Sequence, residues 1–428
     1  MSRDFPHVFS NVSLSKTQTV GDALLNHGLL VLPVTKDTGV AIQSDALLGK
    51  RVLLAISGGI AAVESVKLAR ELRRHQADLT VIMSEEATKI ITPLAVSWGS
   101  DTTVHHGWNP KMSQLDGFDV TLIAPATRTT ISKHIHGIMD SPLMMALSAG
   151  RGQTSKLCFV PSMHTDLFDD PVTTDLLDAL QKEGSYVILN KVDEGKLKQP
   201  DVVSIVADVC HIVNSTPSSK TVAITLGANR APIDDVRAIQ NASSGRTGWL
   251  IAEYLYRMGH NVICIAGKTS ANPTFPIPNV YRDGTPDGML DLCTKVAKDT
   301  QPDVWIHAAA VLDYFVEAEE GKKPSGKDNW QLTLHPGRKH IAELSGLVGD
   351  SIRIGFKLES NVEVDTLIER AKAQINRYGV NAVIANLMEE MNEPGELRAR
   401  IVHDDGRIDE IEDDYSLVKS IEEIISTN

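Results

Sequence analysis

Three stretches in the second half of the chain carry residue types that bind phosphate and carboxylate groups. They run over residues 225–237, 241–248 and 307–314, and Lys322 and Lys323 follow the last of them. Each stretch begins where a strand is predicted to end, and open parallel sheets bind ligands at the carboxyl ends of their strands. Small residues there let backbone N–H groups approach an anion, and the basic side chains add positive charge. We interpret the three stretches as a site that activates an acid with a nucleotide.

The stretch Asn241-Ala-Ser-Ser-Gly-Arg-Thr-Gly248 is the most informative of the three. It places two hydroxyl groups, two glycines and an arginine at the start of a predicted helix, where the helix dipole favours an anion. An ordinary serine N-cap uses the same residue types, so this stretch alone does not distinguish the two readings. The two lysines lie in a loop rich in glycine, proline and serine, which suits a segment that closes over a substrate.

Apolar runs alternate with amphipathic segments from residue 50 onward, which predicts parallel sheets covered by helices on both faces. In the first half we predict strands at 51–57, 78–84, 120–126, 156–163 and 186–191, and helices at 60–76, 127–138, 171–184 and 199–214. In the second half we predict strands at 221–227, 261–267, 304–310, 352–359 and 382–387, helices at 245–259, 287–299, 364–379 and 415–426, and a hairpin at 398–411. The predicted fold class is α/β, with two tandem doubly wound, Rossmann-like parallel-sheet domains.

A chain of 428 residues is too long for one ordinary core, and its clearest break is the polar segment 214–220, which contains a proline. We therefore predict a first domain over residues 50–214, a linker over 215–220 and a second domain over 221–428. Residues 1–49 show weak periodicity and are predicted to form an N-terminal extension with one strand at 29–33.

Composition narrows the classes of function. The net charge of -13 argues against a broad nucleic-acid surface. No apolar run is long enough to span a membrane, and the start of the chain lacks a secretory pattern. The four cysteines are far apart in sequence, which argues against a zinc site or a disulfide framework and favours a reducing, cytoplasmic compartment.

Residues 221–425 resemble phosphopantothenoylcysteine synthetase, the phosphopantothenate–cysteine ligase, in the order, spacing and most identities of the three stretches. The resemblance implies that a nucleoside triphosphate, ATP or CTP, activates the carboxylate of 4'-phosphopantothenate with Mg²⁺ present, and that the amine of cysteine then displaces the nucleotide. It implies catalytic roles for Asn241 and Lys322, with Lys323 as the alternative lysine. The substrate- and nucleotide-binding residues that it implies are Gly227, Arg230, Arg237, Ser243, Ser244, Gly245, Arg246, Ala309, Ala310, Asp313, Phe356, Lys357 and Asn386.

The chain departs from the ligase pattern in two loops. Ala228, Asn229 and Ala231 replace a glycine, a threonine and a glutamate, and residues 335–340 replace a shorter Asn/Thr-Pro-Asp motif. These changes bear on affinity and substrate identity. The run Gly355-Phe-Lys-Leu-Glu359 resembles the ATP-preferring branch of the family, although both nucleotides stay open.

Residues 50–214 resemble the flavin-binding cysteine decarboxylases, which have a flavodoxin-like fold and bind flavin mononucleotide (FMN). By this resemblance, the loops after three predicted strands form the flavin site. The candidate flavin-binding residues are Ser57, Gly58, Gly59, Ile60, Ser84, Ala124, Pro125, Ala126, Thr127 and Thr130.

Three parts of the decarboxylase pattern are missing. The segment 112–115 lacks the expected histidine, His164 stands in place of an asparagine, and the lid segment 189–195 has no cysteine. We therefore predict that the first domain has lost decarboxylase activity and serves as an oligomerisation module, so that the protein is a homo-oligomer. Two alternatives stay open: a bifunctional enzyme that also decarboxylates phosphopantothenoylcysteine with FMN, and a non-catalytic regulatory protein with a flavin-binding fold.

Overall fold

The computed structural model describes residues 37–427, apart from 109, 111, 113, 114, 191, 194, 195, 325, 327, 328, 392 and 394. The strand predicted at 29–33 and most of the predicted N-terminal extension lie outside the described residues.

The first half of the chain builds one parallel sheet and a small antiparallel one. Its strands are β1 (Arg51–Ile56), β2 (Asp78–Met83), β3 (Val104–His105), β4 (Val120–Ala126), β5 (Lys156–Pro161), β6 (Met163–His164), β7 (Tyr186–Val187), β8 (Val192–Asp193) and β9 (Lys196–Leu197). Its helices are α1 (Ser65–Arg74), α2 (Glu85–Thr88), α3 (Pro93–Ser100), α4 (Arg128–Ile135), α5 (Pro142–Gly152), α6 (Thr165–Phe168), α7 (Pro171–Lys182) and α8 (Val202–Asn214). The main sheet has the order β3-β2-β1-β4-β5-β7, and β6, β9 and β8 form the small sheet.

The second half repeats this architecture and adds an antiparallel hairpin. Its strands are β10 (Thr221–Leu226), β11 (Arg230–Pro232), β12 (Ala238–Gln240), β13 (Asn261–Ala266), β14 (Asn279–Arg282), β15 (Val304–His307), β16 (Tyr314–Phe315), β17 (His335–Pro336), β18 (Ile352–Glu359), β19 (Ala382–Leu387), β20 (Ala399–His403) and β21 (Ile408–Ile411). Its helices are α9 (Arg246–Arg257), α10 (Pro286–Asp299), α11 (His340–Glu343), α12 (Val364–Tyr378) and α13 (Asp414–Thr427). The main sheet has the order β14-β13-β10-β15-β18-β19-β20-β21.

In each main sheet, strand order reverses beside the first strand, which is the doubly wound arrangement. The strands of the first sheet are all parallel, as are β14 to β19 of the second, whereas β20 and β21 are antiparallel. Apolar side chains cover both faces of each sheet. The predicted α/β fold with two tandem doubly wound parallel sheets, the first flavodoxin-like, is confirmed.

Several elements differ from the sequence predictions. The helix predicted at 60–76 begins as a 3-10 turn over Ile60–Glu64, and its N-cap Gly59 offers no side-chain acceptor to an α-helix. Helices α3 and α5 were not predicted, although Thr92 and Ser141 cap them and a proline follows each cap. The strand predicted at 304–310 ends at His307, because the next residues leave the sheet to bond the loop after β10.

The two halves share an extensive interface through α8 and α9. Helix α8 is buried along most of its length, and Met258 packs against the apolar clusters of both halves. The Tyr256 ring stacks on the His211 ring at a centroid distance of 4.2 Å. Residues before β1 also take part, because Tyr254 donates a hydrogen bond to Asp45 over 3.2 Å. The structure thus packs residues of the described part of the predicted extension, 37–49, together with both predicted domains.

Candidate functional site

In the second sheet, the loops on either side of the strand reversal are bonded to each other. The Ala310 N–H donates to the Gly227 carbonyl over 2.8 Å, and the Asn229 N–H donates to the Ala310 carbonyl over 3.0 Å. Ala228 exchanges two 2.8 Å hydrogen bonds with Lys268 in the loop after β13. Open parallel sheets bind ligands at such a reversal. These three loops therefore define the candidate site. We call this edge of a main sheet, where the loops follow the carboxyl ends of the parallel strands, its rim.

The Asn241 side chain lies at this junction of loops. Asn241 Nδ2 donates to the Ala310 carbonyl over 2.9 Å, and the Asn241 N–H donates to the Asn229 carbonyl over 3.3 Å. An asparagine amide has a second N–H and an acceptor oxygen with which to meet a ligand. The structure brings Gly227, Asn241 and Ala310 together, and their binding and catalytic roles stay predictions.

The serine and glycine residues after Asn241 form the N-terminus of α9. Gly245 has φ +79° and precedes the first helical residue. A Cβ on Gly245 would lie 2.6 Å from Thr269 Cγ2 and 3.4 Å from Gly227 Cα, so only glycine allows this approach of the loops. Ser243 Oγ accepts a hydrogen bond from the Gly245 N–H over 3.4 Å, and Ser244 Oγ accepts one from the Arg246 N–H over 3.3 Å. The free N–H groups of a helix N-terminus favour an anion at this rim.

Two arginines near the start of α9 differ in their surroundings. The Arg246 guanidinium is largely exposed and pairs with Asp414 over 3.0 Å. Arg398 is mostly buried, binds Asp414 over 2.6 Å and donates to Thr247 Oγ1 over 2.8 Å. Sequence reasoning missed Arg398, because its partner Thr247 lies 151 residues away in the chain. In the structure, therefore, Arg246 points to a surface ion pair, whereas Arg398 holds the first turn of α9.

The predicted lysine segment lies against the hairpin β11–β12. The Arg237 guanidinium pairs with Asp234 over 2.5 Å and donates twice to the Lys323 carbonyl over 3.2 Å. Burial opposes ionisation of Asp234, but N–H donors, including that of Lys323, and the Arg237 cation outweigh it and lower the pKa of Asp234 to about 2. The three residues of β12 lie between Arg237 and Asn241, which puts their Cα atoms roughly 13 Å apart along the strand.

Predicted nucleotide-binding residues lie on the neighbouring strands of the same rim. Gly355 pairs with His307, so Phe356 lies one residue further along β18. Lys357 Nζ is paired with Glu359 over 2.9 Å. Asn386 on β19 is buried, and its Oδ1 has no hydrogen-bond partner within the described part of the chain. Because buried polar atoms are nearly always bonded, Asn386 Oδ1 is a candidate contact for a ligand.

The remaining predicted side chains lie at the exposed edge. Asp313 is paired with Lys339 over 3.0 Å, while Ala309 N–H donates to Thr225 Oγ1 over 3.4 Å. Arg230 is exposed, and its backbone N–H donates to the Gly284 carbonyl over 2.7 Å. The structure therefore holds the backbone of Arg230 and Ala309 in the site and leaves the Arg230 side chain exposed for an anion.

His307 has a buried imidazole and directly precedes the three alanines, residues 308–310, of the loop after β15. Its ring stacks on Trp305 at 6.0 Å, and its Nε2 has no hydrogen-bond partner among the described residues. Burial, aided by the positive charge of Arg353, lowers the pKa of His307 to about 3. The imidazole is therefore neutral at physiological pH, and its basicity was not readable from the sequence.

The rim of the first sheet is bonded mainly through backbone and hydroxyl groups. Ser57 Oγ donates to the Pro125 carbonyl over 2.7 Å and accepts from the Thr127 N–H over 2.9 Å. A Cβ on Gly58 would lie 2.3 Å from Glu86 Cβ, and one on Gly59 would lie 3.4 Å from Thr127 Cγ2. The loops after β1, β2 and β4 are thus in contact around two glycines, which gives a ligand close access to backbone N–H groups.

The other predicted flavin-binding residues fall into three groups. Ser84 and Thr127 accept from N–H groups of the following helices, over 3.1 and 3.3 Å, and Thr130 lies 2.9 Å from the Thr127 hydroxyl. Ala124 and Ala126 are buried in the sheet with Pro125 between them. Ile60 is largely exposed beside the two glycines. Their contact with a flavin stays a prediction.

The positions that interrupt the decarboxylase pattern are only partly described. His164 is exposed in β6 and lies 3.3 Å from Asp166. Residues 113 and 114 of the first segment and 191, 194 and 195 of the lid lie outside the described residues. All four cysteines are buried, and burial raises the pKa of the Cys210 thiol to about 12.

The described residues contain neither a metal-binding cluster nor a membrane-spanning helix. Over residues 37–427, with their gaps, no group of three or more His, Cys, Asp or Glu side chains is placed to hold a metal ion. Within the same part of the chain, every helix is too short or too polar to cross a bilayer.

The fold is that of an α/β protein with a candidate ligand site at each strand reversal. Two family models match the chain: Flavoprotein over residues 40–214, and the DNA/pantothenate metabolism flavoprotein C-terminal domain over residues 218–416.

Curated relatives extend over both matches. The chain is 35% identical to the Coenzyme A biosynthesis bifunctional protein CoaBC of Thermococcus kodakarensis, over 81% of this chain and 88% of that protein. It is 33% identical to the CoaBC protein of Methanocaldococcus jannaschii, over 80% of this chain and 85% of that protein. A solved DNA/pantothenate metabolism flavoprotein from Streptococcus pneumoniae is 22% identical with a TM-score of 0.44, over 49% of this chain and 99% of that one. The chain belongs to the family of coenzyme A biosynthesis bifunctional proteins CoaBC.

Proposed function

We propose that the second half of the chain is a phosphopantothenate–cysteine ligase that works through an acyl-nucleotidate. The observation that carries this proposal is the bonding of Asn241 to the Ala310 carbonyl at the strand reversal, beside the N-terminus of α9. This arrangement offers amide and N–H donors to a carboxylate and a phosphate at one rim. The family of the chain supports the same activity.

The reaction needs two displacements. A carboxylate oxygen of 4'-phosphopantothenate attacks the α-phosphorus of ATP or CTP, and the bond between that phosphorus and the pyrophosphate oxygen breaks. The amine of cysteine then attacks the acyl carbon and gives up a proton, and the nucleoside monophosphate leaves. A carboxylate is a poor electrophile until one of its oxygens is bonded to the nucleotide and becomes part of a good leaving group. The site must therefore stabilise the negative charge that moves first onto pyrophosphate and then onto the nucleoside monophosphate.

The described residues have separate tasks in this scheme. Asn241 orients the acyl group with the amide atoms that its bond to Ala310 leaves free. The N-terminus of α9 binds a phosphate through N–H groups, and Lys322 neutralises charge on the phosphates. Mg²⁺ is expected to enter with the triphosphate, because this ion usually keeps substrate phosphates and waters as ligands.

We also propose that the first half binds FMN but lacks decarboxylase activity. Flavin binding is supported by the family match and by the glycine-lined rim of the first sheet. The loss is supported by the burial of all four cysteines, since none of them offers a thiol at the surface. When bound, FMN supplies redox chemistry, and the residues around Gly58 and Gly59 would hold its phosphate.

One incubation tests both proposals. The full chain is mixed with 4'-phosphopantothenate, cysteine, Mg²⁺ and either ATP or CTP, with and without FMN, and the products are identified by mass. We expect phosphopantothenoylcysteine, pyrophosphate and a nucleoside monophosphate, without carbon dioxide. The absence of product with both nucleotides would contradict the ligase proposal and favour a regulatory protein, and release of carbon dioxide would contradict the loss of decarboxylase activity.

A further inference from the structure

The lysine segment 319–323 is anchored to the tip of the hairpin β11–β12 by backbone hydrogen bonds. The Glu319 N–H donates to the Ile233 carbonyl over 2.9 Å, and the Asp235 N–H donates to the Gly321 carbonyl over 3.2 Å. These reciprocal bonds join two surface loops that are more than 80 residues apart in sequence. Surface loops are usually the least stable parts of a fold, so such an anchorage requires further support.

Side chains supply that support. Asp234, which is buried and ionised, accepts hydrogen bonds from the Arg237 guanidinium over 2.5 Å and from the Lys323 N–H over 3.3 Å. Arg237 in turn donates to the Lys323 carbonyl over 3.2 Å. One carboxylate therefore joins the hairpin tip to the backbone of the lysine segment.

The Trp330 ring binds both cations of this cluster. The Arg237 guanidinium carbon lies 5.2 Å from the ring centroid, and Lys323 Nζ lies 4.5 Å from it. Both distances are within the range of cation–π attraction. The indole thereby gathers two positive charges beside a single carboxylate.

This arrangement distinguishes the two lysines. Lys323 has both its backbone and its ammonium group engaged with Asp234, Arg237 and Trp330. Lys322 is exposed, and in the described part of the chain no hydrogen bond or ion pair engages its ammonium group. Only Lys322 can therefore move to a ligand without breaking the cluster.

We propose that Trp330 is a positioning residue, which latches the lysine segment to the hairpin through Lys323 and leaves Lys322 as the lysine that meets the phosphates of the nucleotide. The proposal rests on the proposed ligase function for the role of Lys322. The latch itself is a property of the ligand-free protein, and it can be measured without turnover.

Amide hydrogen exchange of the ligand-free full chain tests the latch directly. In Trp330→Ala we expect exchange in residues 319–323 to become about tenfold faster. The anchored segment has then lost its contacts with the ring, so it opens more often. Trp330→Phe should restore most of the protection, since a phenyl ring also attracts cations. Leu332→Ala removes an exposed apolar side chain two residues after Trp330 and should leave exchange in residues 319–323 unchanged. Equal exchange in Trp330→Ala and the parent protein would overturn the latch.

Kinetics test which lysine acts. Lys322→Met should remove ligation almost completely, whereas Lys323→Met and Trp330→Ala should each lower kcat by about tenfold. The double variant Lys323→Met with Trp330→Ala should lose no more than either single variant, because both substitutions break the same contact. Trp330→Phe should recover kcat. Full turnover in Lys322→Met with none in Lys323→Met would overturn the assignment. If the parent protein does not ligate but exchange responds as expected, the latch stands and the ligase proposal fails.

Discussion

The rims of the two sheets share one topology but differ in the charge of their loops. In the first rim, the segment 57–60 has no charged residue, and the Ser57 hydroxyl is bonded to the backbone of the neighbouring loop. In the second rim, Arg230, Lys268 and Lys322 are exposed around the loops that bind Asn241. Both rims lie at a strand reversal, but among the described residues of these loops several exposed cations occur in the second rim alone.

The comparison indicates that the strand reversal sets the position of a candidate ligand site, whereas the loop residues set the charge of the ligand that the site favours. A flavin phosphate needs only N–H and hydroxyl donors, which a glycine turn supplies. A triphosphate that loses pyrophosphate moves more negative charge, and cations stabilise that movement. We therefore expect the two rims to respond differently to substitutions of the same kind.

The largest expected effect is at Asn241. Asn241→Ala removes the side chain that bonds the Ala310 carbonyl and should lower kcat/KM for ligation by about 10²–10³-fold, the usual cost of one positioned donor. Asn261→Ala is the matched control and should keep the parent rate, because Asn261 is the first residue of β13, at the end of the strand away from the candidate site. The measurement is initial pyrophosphate release, and an Asn241→Ala rate within twofold of the parent rate would remove Asn241 from the site.

The next effect separates steric contact from backbone strain. Gly227 and Gly379 both have positive φ, but a Cβ on Gly227 would lie 2.8 Å from the Lys268 carbonyl oxygen, whereas one on Gly379 would meet open space. Gly379→Ala should cost about 1–2 kcal/mol of unfolding free energy from strain alone. Gly227→Ala should cost about 1–3 kcal/mol more, because the packed loops must shift. Urea unfolding measures both, and equal costs would show that the three loops are not in contact.

A pH effect of about 2 kcal/mol is expected from His307. Its pKa is about 3 in the folded protein, below the usual 6.5, so the unfolded chain binds this proton more readily. Stability from the neutral imidazole is therefore complete above pH 6.5 and is lost as the pH falls toward 3. Between pH 7 and pH 5 the loss is about 2 kcal/mol by linkage. His307→Gln should lose less over this interval than the parent protein, and an unchanged pH dependence would contradict the burial of a neutral ring.

Sequence reasoning was most successful where one pattern had one structural explanation. Continuous apolar runs predicted strands such as β1 and β10 to within one residue, because both faces of a parallel sheet are buried. It missed α3 and α5, whose signal was local, a capping hydroxyl followed by proline. In the site, the motif residues Asn241 and Ala310 could be paired through the resemblance. Arg398 could not, because its partner Thr247 is 151 residues away. Trp330 could not, because its ring meets Arg237, about 90 residues away, only in the folded chain.

The first rim gives a smaller effect, measured by flavin binding. A Cβ on Gly58 would lie 2.3 Å from Glu86 Cβ, so Gly58→Ala should push apart the loops after β1 and β2 and weaken FMN binding by about tenfold. Gly107→Ala, in the same half, adds a Cβ in open space and is the control. Flavin fluorescence titration gives the Kd for FMN. Equal Kd values for the two variants would place the flavin away from this rim.

The smallest effect tests whether the two halves are independent. Tyr256 on α9 donates to Asp208 on α8 over 2.8 Å, and burial raises the pKa of that carboxyl. Tyr256→Phe keeps the ring and removes the donor, so we expect a loss of about 1 kcal/mol. Tyr281→Phe, on an exposed edge strand, should cost nothing measurable.

The form of the unfolding transition decides what that loss means. Because α8 is buried between the halves, Tyr256→Phe should shift one common transition, seen alike by flavin release and by tryptophan fluorescence. Separate transitions, with only the second half destabilised, would show that the two halves fold as independent units. A single shifted transition would show instead that one cooperative fold maintains two rims of different charge.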